Sequence, residues 1–237
     1  MNIFPAIDLY DCKAVRLYKG DYNQMTVYSE NPIEIARDFE KQGASFVHLV
    51  DLEGAKNGTT PNINTVKQIA QETSLFTEIG GGIRSLETIE KYISIGVDRV
   101  ILGTAAVENE ELLKEAVAKY GDKIAVGVDI KDGMVAVKGW LEKSSYDAFS
   151  FCEKMQNTGV KTLICTDISK DGAMKGTNLD LYRQLSEKFK VDITASGGVS
   201  SIEDIKNLAE MKIYGAIIGK AYYIGAINLK EAIEVAE

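Results

Sequence analysis

Apolar residues gather in eight short runs, near residues 2–8, 45–51, 76–80, 98–103, 123–129, 161–167, 191–196 and 213–219. Within each run they are nearly continuous instead of alternating, the pattern of strands covered on both faces. Between the runs the period changes to that of an amphipathic helix, in PIEIARDFEKQG, NTVKQIAQET, SLETIEKYISIG, NEELLKEAVAKYG, SYDAFSFCEKMQNTG, LDLYRQLSEKF, SIEDIKNLAEM and LKEAIEVA. Asn31, Pro32 and Glu34 read as a helix start, Ser201 with Asp204 as a capping box, and Gly43, Gly96 and Gly159 as left-handed helix ends. Eight strands alternating with eight helices predict an α/β chain with right-handed crossovers, and that count favours a closed (β/α)8 TIM barrel.

The pattern also repeats. DLEGAKNGTTPN matches DISKDGAMKGTN, EIGGGIRSLETI matches TASGGVSSIEDI, and ILGTAA matches IIGKAY. Asp51 to Asp167, Gly81 to Gly197 and Gly103 to Gly219 are all offset by 116 residues, and Asp8 to Asp129 by 121. One domain spanning 1–237 is expected, built from two (β/α)4 halves, about 1–120 and 121–237. Residues 9–30 and 130–144 are long for connections in a compact barrel, and both hold strand-like pieces, KAVRLYKG and KDGMVAVKGW, the latter with an Asp-Gly hairpin turn. They read as ordered flaps over a site.

FPAIDL and VGVDI each end a strand-like run on one carboxylate, Asp8 and Asp129. At the C-terminal end of a barrel strand an acid sits where ligands bind, so the two are a candidate acid/base pair; the plain alternative is a helix cap or ion-pair partner. Glycine turns supply candidate anion sites, because they let backbone N–H groups approach a ligand. One set is Gly81, Gly82 and Arg84 with Gly103 and Thr104. The other is Gly197 and Gly198 with Gly219 and Lys220, beside Gly172. Two such cups on opposite sides of the mouth call for a ligand with two phosphate ends, its middle lying between the first and fifth strands.

Composition narrows the partners. A net charge of -8 argues against a nucleic-acid surface. No apolar run is long enough to span a bilayer, and neither a signal segment nor a membrane partner is expected. Cys12, Cys152 and Cys165 are widely spaced, with no CxxC, and point to a reduced, cytoplasmic protein. With His48 as the one histidine, neither a multi-histidine metal site nor a serine triad is in view, and carboxylate chemistry gains weight.

PAIDL, AVRLYKGDY, FVHLVDLEGAKNG, EIGGGIRS, VILGTAA, VGVDIKDGMVAVKGW, TDISKDGAMKGTN and SGGVSS resemble, over nearly the whole chain and in order, the ProFAR isomerases of histidine biosynthesis. The cyclase subunit of imidazole glycerol phosphate synthase shares the half-barrel repeat and paired aspartates, but the AVRL and GW loops are closer to the isomerases. The resemblance implies an Amadori rearrangement of a bisphosphorylated aminoaldose, with Asp129 as general acid, Asp8 as general base, and no metal or cofactor. It adds Trp140 as a stacking surface, the plain alternative being a packed side chain, and Arg16 as a loop arginine that contacts phosphate or pairs with a loop acid, the alternative being an exposed spectator. Thr166 and Asp171, after the sixth strand, read as groups that orient the substrate or Asp129, although Asp171-Gly172 is also an ordinary turn pair. His48 is read first as a hydrogen-bonded structural histidine. Competing readings are a dual-substrate isomerase that also rearranges phosphoribosylanthranilate, the cyclase, and a phosphate- or flavin-phosphate-binding barrel. A monomer is expected.

Overall fold

The computed structural model describes residues 1–18 and 20–237. The first half of the chain opens with β1 (Asn2–Tyr10), β2 (Lys13–Tyr18), β3 (Asp21–Ser29) and α1 (Pro32–Lys41). It continues through β4 (Phe46–Asp51), α2 (Leu52–Asn57), α3 (Ile63–Glu72), β5 (Phe76–Gly80) and α4 (Leu86–Ser94). It ends with β6 (Arg99–Leu102), α5 (Thr104–Glu108) and α6 (Glu110–Tyr120). The second half starts at β7 (Ile124–Lys131), β8 (Met134–Val137), β9 (Glu142–Asp147) and α7 (Ala148–Thr158), followed by β10 (Thr162–Asp167) and α8 (Leu179–Lys188). It closes with β11 (Asp192–Ser196), α9 (Ile202–Glu210), β12 (Gly215–Ile218), α10 (Lys220–Tyr223) and α11 (Leu229–Ala236).

Eight strands pair in parallel in the ring order β10-β11-β12-β1-β4-β5-β6-β7, and pairing of β7 with β10 closes it. The expected TIM barrel is the observed fold, and all eight apolar runs became barrel strands. Two apolar layers hold it together. Residues such as Ile7, Leu49, Phe39 and Tyr92 fill the space between strands and helices, while Phe4, Ala6, Ile101, Ala125, Ile164 and Ile217 pack inside the ring. Continuous burial on both faces is what the non-alternating strand pattern requires.

Local chemistry accounts for the boundaries. Ser201 and Asp204 form the capping box at α9. Gly43, Gly96 and Gly159 follow their helices at positive φ. Asn31 departs from expectation: its side chain makes no cap on α1, and its own N–H instead donates to Ser29 Oγ. The helices α2, α5 and α10 were not foreseen; at four to six residues they are too short to carry a helical period.

Both long connections fold as antiparallel flaps. β2 pairs with β1 and carries β3, while β8 pairs with β7 across the Asp132–Gly133 turn and carries β9. Both turn residues have positive φ, as a tight two-residue hairpin demands.

Candidate active site

Because the barrel strands are parallel, their C-terminal ends share one rim, and a cleft opens there. Asp8 on β1 and Asp129 on β7 line it, with three strands between them in either direction round the ring. Their settings correspond strand for strand. Asp8 lies opposite Val15 of the first flap and Val50 of β4, and Asp129 opposite Ala136 of the second flap and Thr166 of β10.

The two surroundings differ in charge. Arg16 Nη1 lies 2.9 Å from Asp8 Oδ1, both side chains being largely buried. Asp129 instead meets neutral donors, the indole N–H of Trp140 and the hydroxyl of Thr166. Burial pushes both carboxyls above the usual range; Arg16 and His48 offset this at Asp8, and Trp140, Thr166 and His48 at Asp129. Asp171 faces both acids and adds negative charge to each.

Gly81, Gly82, Arg84, Gly103 and Thr104 line the cleft on the β5/β6 side, and Gly172, Gly197, Gly198, Gly219 and Lys220 on the other. The turns after β5 and β11 match. Gly82 has φ +70 and Gly198 φ +84, and a Cβ would lie 1.7 Å from Gly54 O at the first and 2.6 Å from Gly176 O at the second. Only glycine lets these backbones lie so close. Asp51 and Asp167 tie down the loops beneath. Asp51 Oδ1 accepts from Gly54 N and from Asn62 Nδ2, both at 2.8 Å, while Asp167 Oδ2 accepts from Asn178 Nδ2 at 2.6 Å.

Three of the candidate phosphate ligands have bonds of their own. Arg84 Nη2 donates to Ala55 O (3.3 Å), Lys220 Nζ donates to Gly172 O (3.1 Å), and Thr104 Oγ1 accepts from Lys138 N (2.8 Å). The last bond fastens the second flap to the rim. Trp140 also holds the flaps together, since its ring rests so close to Gly20 that a Cβ there would lie 2.8 Å from Trp140 Cε3.

His48 faces the cleft and is held from below: its Nδ1 is 2.7 Å from Glu78 Oε1. Glu78 is fully buried inside the barrel, and its other oxygen accepts from Arg99 Nη1 at 3.2 Å. Arg99 Nη2 donates in turn to Tyr214 Oη at 3.2 Å. Glu78, Arg99 and Tyr214 lie outside the candidate residues that the sequence suggested. The signal was present, because Glu78 and Arg99 are charges inside apolar strand runs, a placement that demands partners. Among the described residues, no cluster of three or more His, Cys, Asp or Glu side chains is arranged to hold a metal ion.

The family model described as histidine biosynthesis protein matches residues 2–228. The chain belongs to the histidine biosynthesis protein family. Within that family it is similar to the enzymes of Lactococcus lactis subsp. cremoris, Clostridium beijerinckii and Brachyspira hyodysenteriae. All three carry the name 1-(5-phosphoribosyl)-5-((5-phosphoribosylamino)methylideneamino)imidazole-4-carboxamide isomerase, that is, ProFAR isomerase. The Lactococcus enzyme is 53% identical over 98% of this chain and 95% of its own length. The Clostridium enzyme is 51% identical over 100% and 99%, and the Brachyspira enzyme 49% identical over 100% of each.

Proposed function

We propose that this chain converts ProFAR, an aminoaldose with a phosphate at each end, to the corresponding aminoketose by an Amadori rearrangement. The observation that carries the reading is two partly buried carboxylates on opposite sides of the barrel mouth between two glycine cups, one paired with a cation and the other with neutral donors. Each cup takes one phosphate, which spans the substrate across the mouth and brings its ribose to the acids.

Asp129, in its proton-bearing form, donates to the ribose ring oxygen. The C1'–O bond breaks, and the substrate nitrogen supplies the electron pair that forms the iminium. Asp8, ionised beside Arg16, removes the proton from C2', and those electrons neutralise the iminium to an enolamine, which tautomerises to the ketone. The substrate's nitrogen is the electron sink, so the scheme draws on no metal or redox cofactor. This division of labour needs one carboxyl protonated while the other is ionised.

In this reading the chain is one domain of two fused half-barrels, acting as a cytoplasmic monomer on a small bisphosphorylated substrate. No described helix is long and apolar enough to cross a membrane. The test is direct assay of ProFAR isomerisation by wild type, Asp8→Asn and Asp129→Asn. Substrate binding should survive while turnover falls by at least about a hundredfold in each, the lower scale for losing acid/base catalysis. Near-normal turnover in either variant removes that residue from its role.

A further inference from the structure

The two acids occupy matched places. Each lies near the C-terminal end of its barrel strand, and each is crossed by the inner strand of its own flap. Val15 of β2 stands opposite Asp8 where Ala136 of β8 stands opposite Asp129, so the next residues, Arg16 and Val137, also correspond. One of these is a cation 2.9 Å from its acid and the other a buried aliphatic side chain. On the barrel side the correspondence is between Val50 and Thr166. Matched backbones therefore give one acid a full positive charge and the other a hydroxyl and an indole.

A second pair of matched positions bears on the same arginine. Gly103 and Gly219 precede the short helices α5 and α10 with nearly the same backbone, φ -98 and ψ -102 against φ -101 and ψ -107. Around Gly103 a Cβ would meet nothing within 4 Å, whereas at Gly219 it would lie 2.1 Å from Arg16 Nη2. The guanidinium thus rests on Gly219 through Nη2 while Nη1 holds Asp8. Gly219 is the space that lets Arg16 reach the acid.

We propose that Arg16, seated on Gly219, is the positioning residue that makes Asp8 the ionised member of the pair and leaves Asp129 as the member that carries a proton. This deepens the isomerase reading and rests on it. Other groups face both acids and so do not distinguish them: His48 from β4 and Asp171 from the loop after β10 act on each. Asp8 is also faced by Tyr22 from β3 and Tyr223 from α10, and Asp129 by Cys165 from β10. These are neutral at working pH. Arg16 is the full charge that one acid has and the other lacks.

The test compares the pH dependence of kcat/KM for ProFAR in wild type, Arg16→Met, Gly219→Ala and Gly103→Ala. Withdrawing a cation from beside a carboxylate raises its proton affinity, so the acid limb, where the base is lost to protonation, should move up by about 1–3 pH units in Arg16→Met. Gly219→Ala keeps the arginine but pushes it away, and should move the limb in the same direction. Gly103→Ala adds the same methyl at the matched turn without an arginine above it, and should leave the limb where it is, whatever its effect on KM. A raised KM with an unmoved acid limb in both Arg16→Met and Gly219→Ala overturns the proposal and makes Arg16 a phosphate contact. A second arm needs no turnover. Asp8 is titrated by NMR in protein carrying carbon-13 aspartate carboxyls, with its signal assigned by its loss in Asp8→Asn. An Asp8 titration unchanged by Arg16→Met defeats the proposal even in a protein with no isomerase activity, and a raised one supports it there.

Discussion

Replacing Glu78 with glutamine removes one charge from the centre of the barrel with little change of volume. Glu78 is 0% exposed and Arg99 6%, so neither has water to fall back on. In the native chain the carboxylate answers both Arg99, at 3.2 Å, and His48, at 2.7 Å. The glutamine amide can accept from one of them and leaves the Arg99 charge unanswered. Arg99 is then left with Tyr214 Oη and the ring faces of Phe76 and Tyr214, its Nε already lacking a partner. Removing one member of a buried ion pair costs about 3–5 kcal/mol. For a chain of this size each kcal/mol corresponds to roughly 2–4 °C, so the melting temperature should fall by about 6–20 °C. Urea unfolding and calorimetry read this directly. Replacing both members, Glu78→Met with Arg99→Met, should recover most of the loss, because no charge is then stranded. A loss in Glu78→Gln below about 1 kcal/mol, the scale of an exposed ion pair, would refute the account of a buried and mutually dependent network.

Asp8 and Asp129 should also separate in stability. Burial raises Asp129's proton affinity in the folded state, so its contribution is favourable at pH below the unfolded value and is lost as pH rises through the folded value. Asp129→Asn should therefore raise the melting temperature at neutral pH and do less near pH 4, whereas Asp8→Asn strands Arg16 and should gain nothing. Trp140→Phe keeps an aromatic side chain and deletes an N–H that favours ionised Asp129. The alkaline limb of kcat, where the acid loses its proton, should move to higher pH, and an unmoved limb would separate Trp140 from Asp129. In Gly82→Ala the added Cβ meets a carbonyl that already accepts from Gly58 N at 2.7 Å, so the turn must shift. KM should rise at least about tenfold, the equivalent of ~1.4 kcal/mol, with little change in kcat.

Legibility in the sequence followed the physics of each feature. Strands buried on both faces leave continuous apolar runs, which is why β1 and β7 could be read, although each runs two residues past its acid, to Tyr10 and Lys131, where it pairs with its flap. Glycines at positive φ with a carbonyl underneath are equally visible, because no other residue serves there. What escaped were interactions between residues distant in the chain. The partners of Glu78 lie 21 and 30 residues away, and Tyr214 is 115 residues from Arg99. The pairing of Arg16 with Asp8 itself, and not with another acid of its loop, depends on β2 folding back along β1. The three short helices at the rim have no pattern long enough to read.

The flaps carry a consequence for the protein in concentrated solution. Each barrel strand has a neighbour on both sides, so the ring presents no open hydrogen-bonding edge. β3 and β9 hang outside it with one partner each and restore two such edges. Edges of this kind recruit strands from other chains unless charge discourages it. β9 carries Glu142, Lys143 and Asp147, whereas β3 shows solvent the side chains of Met25 and Val27. Self-association by strand addition would begin along β3, and an added charge there is where solubility can be raised without entering the cleft.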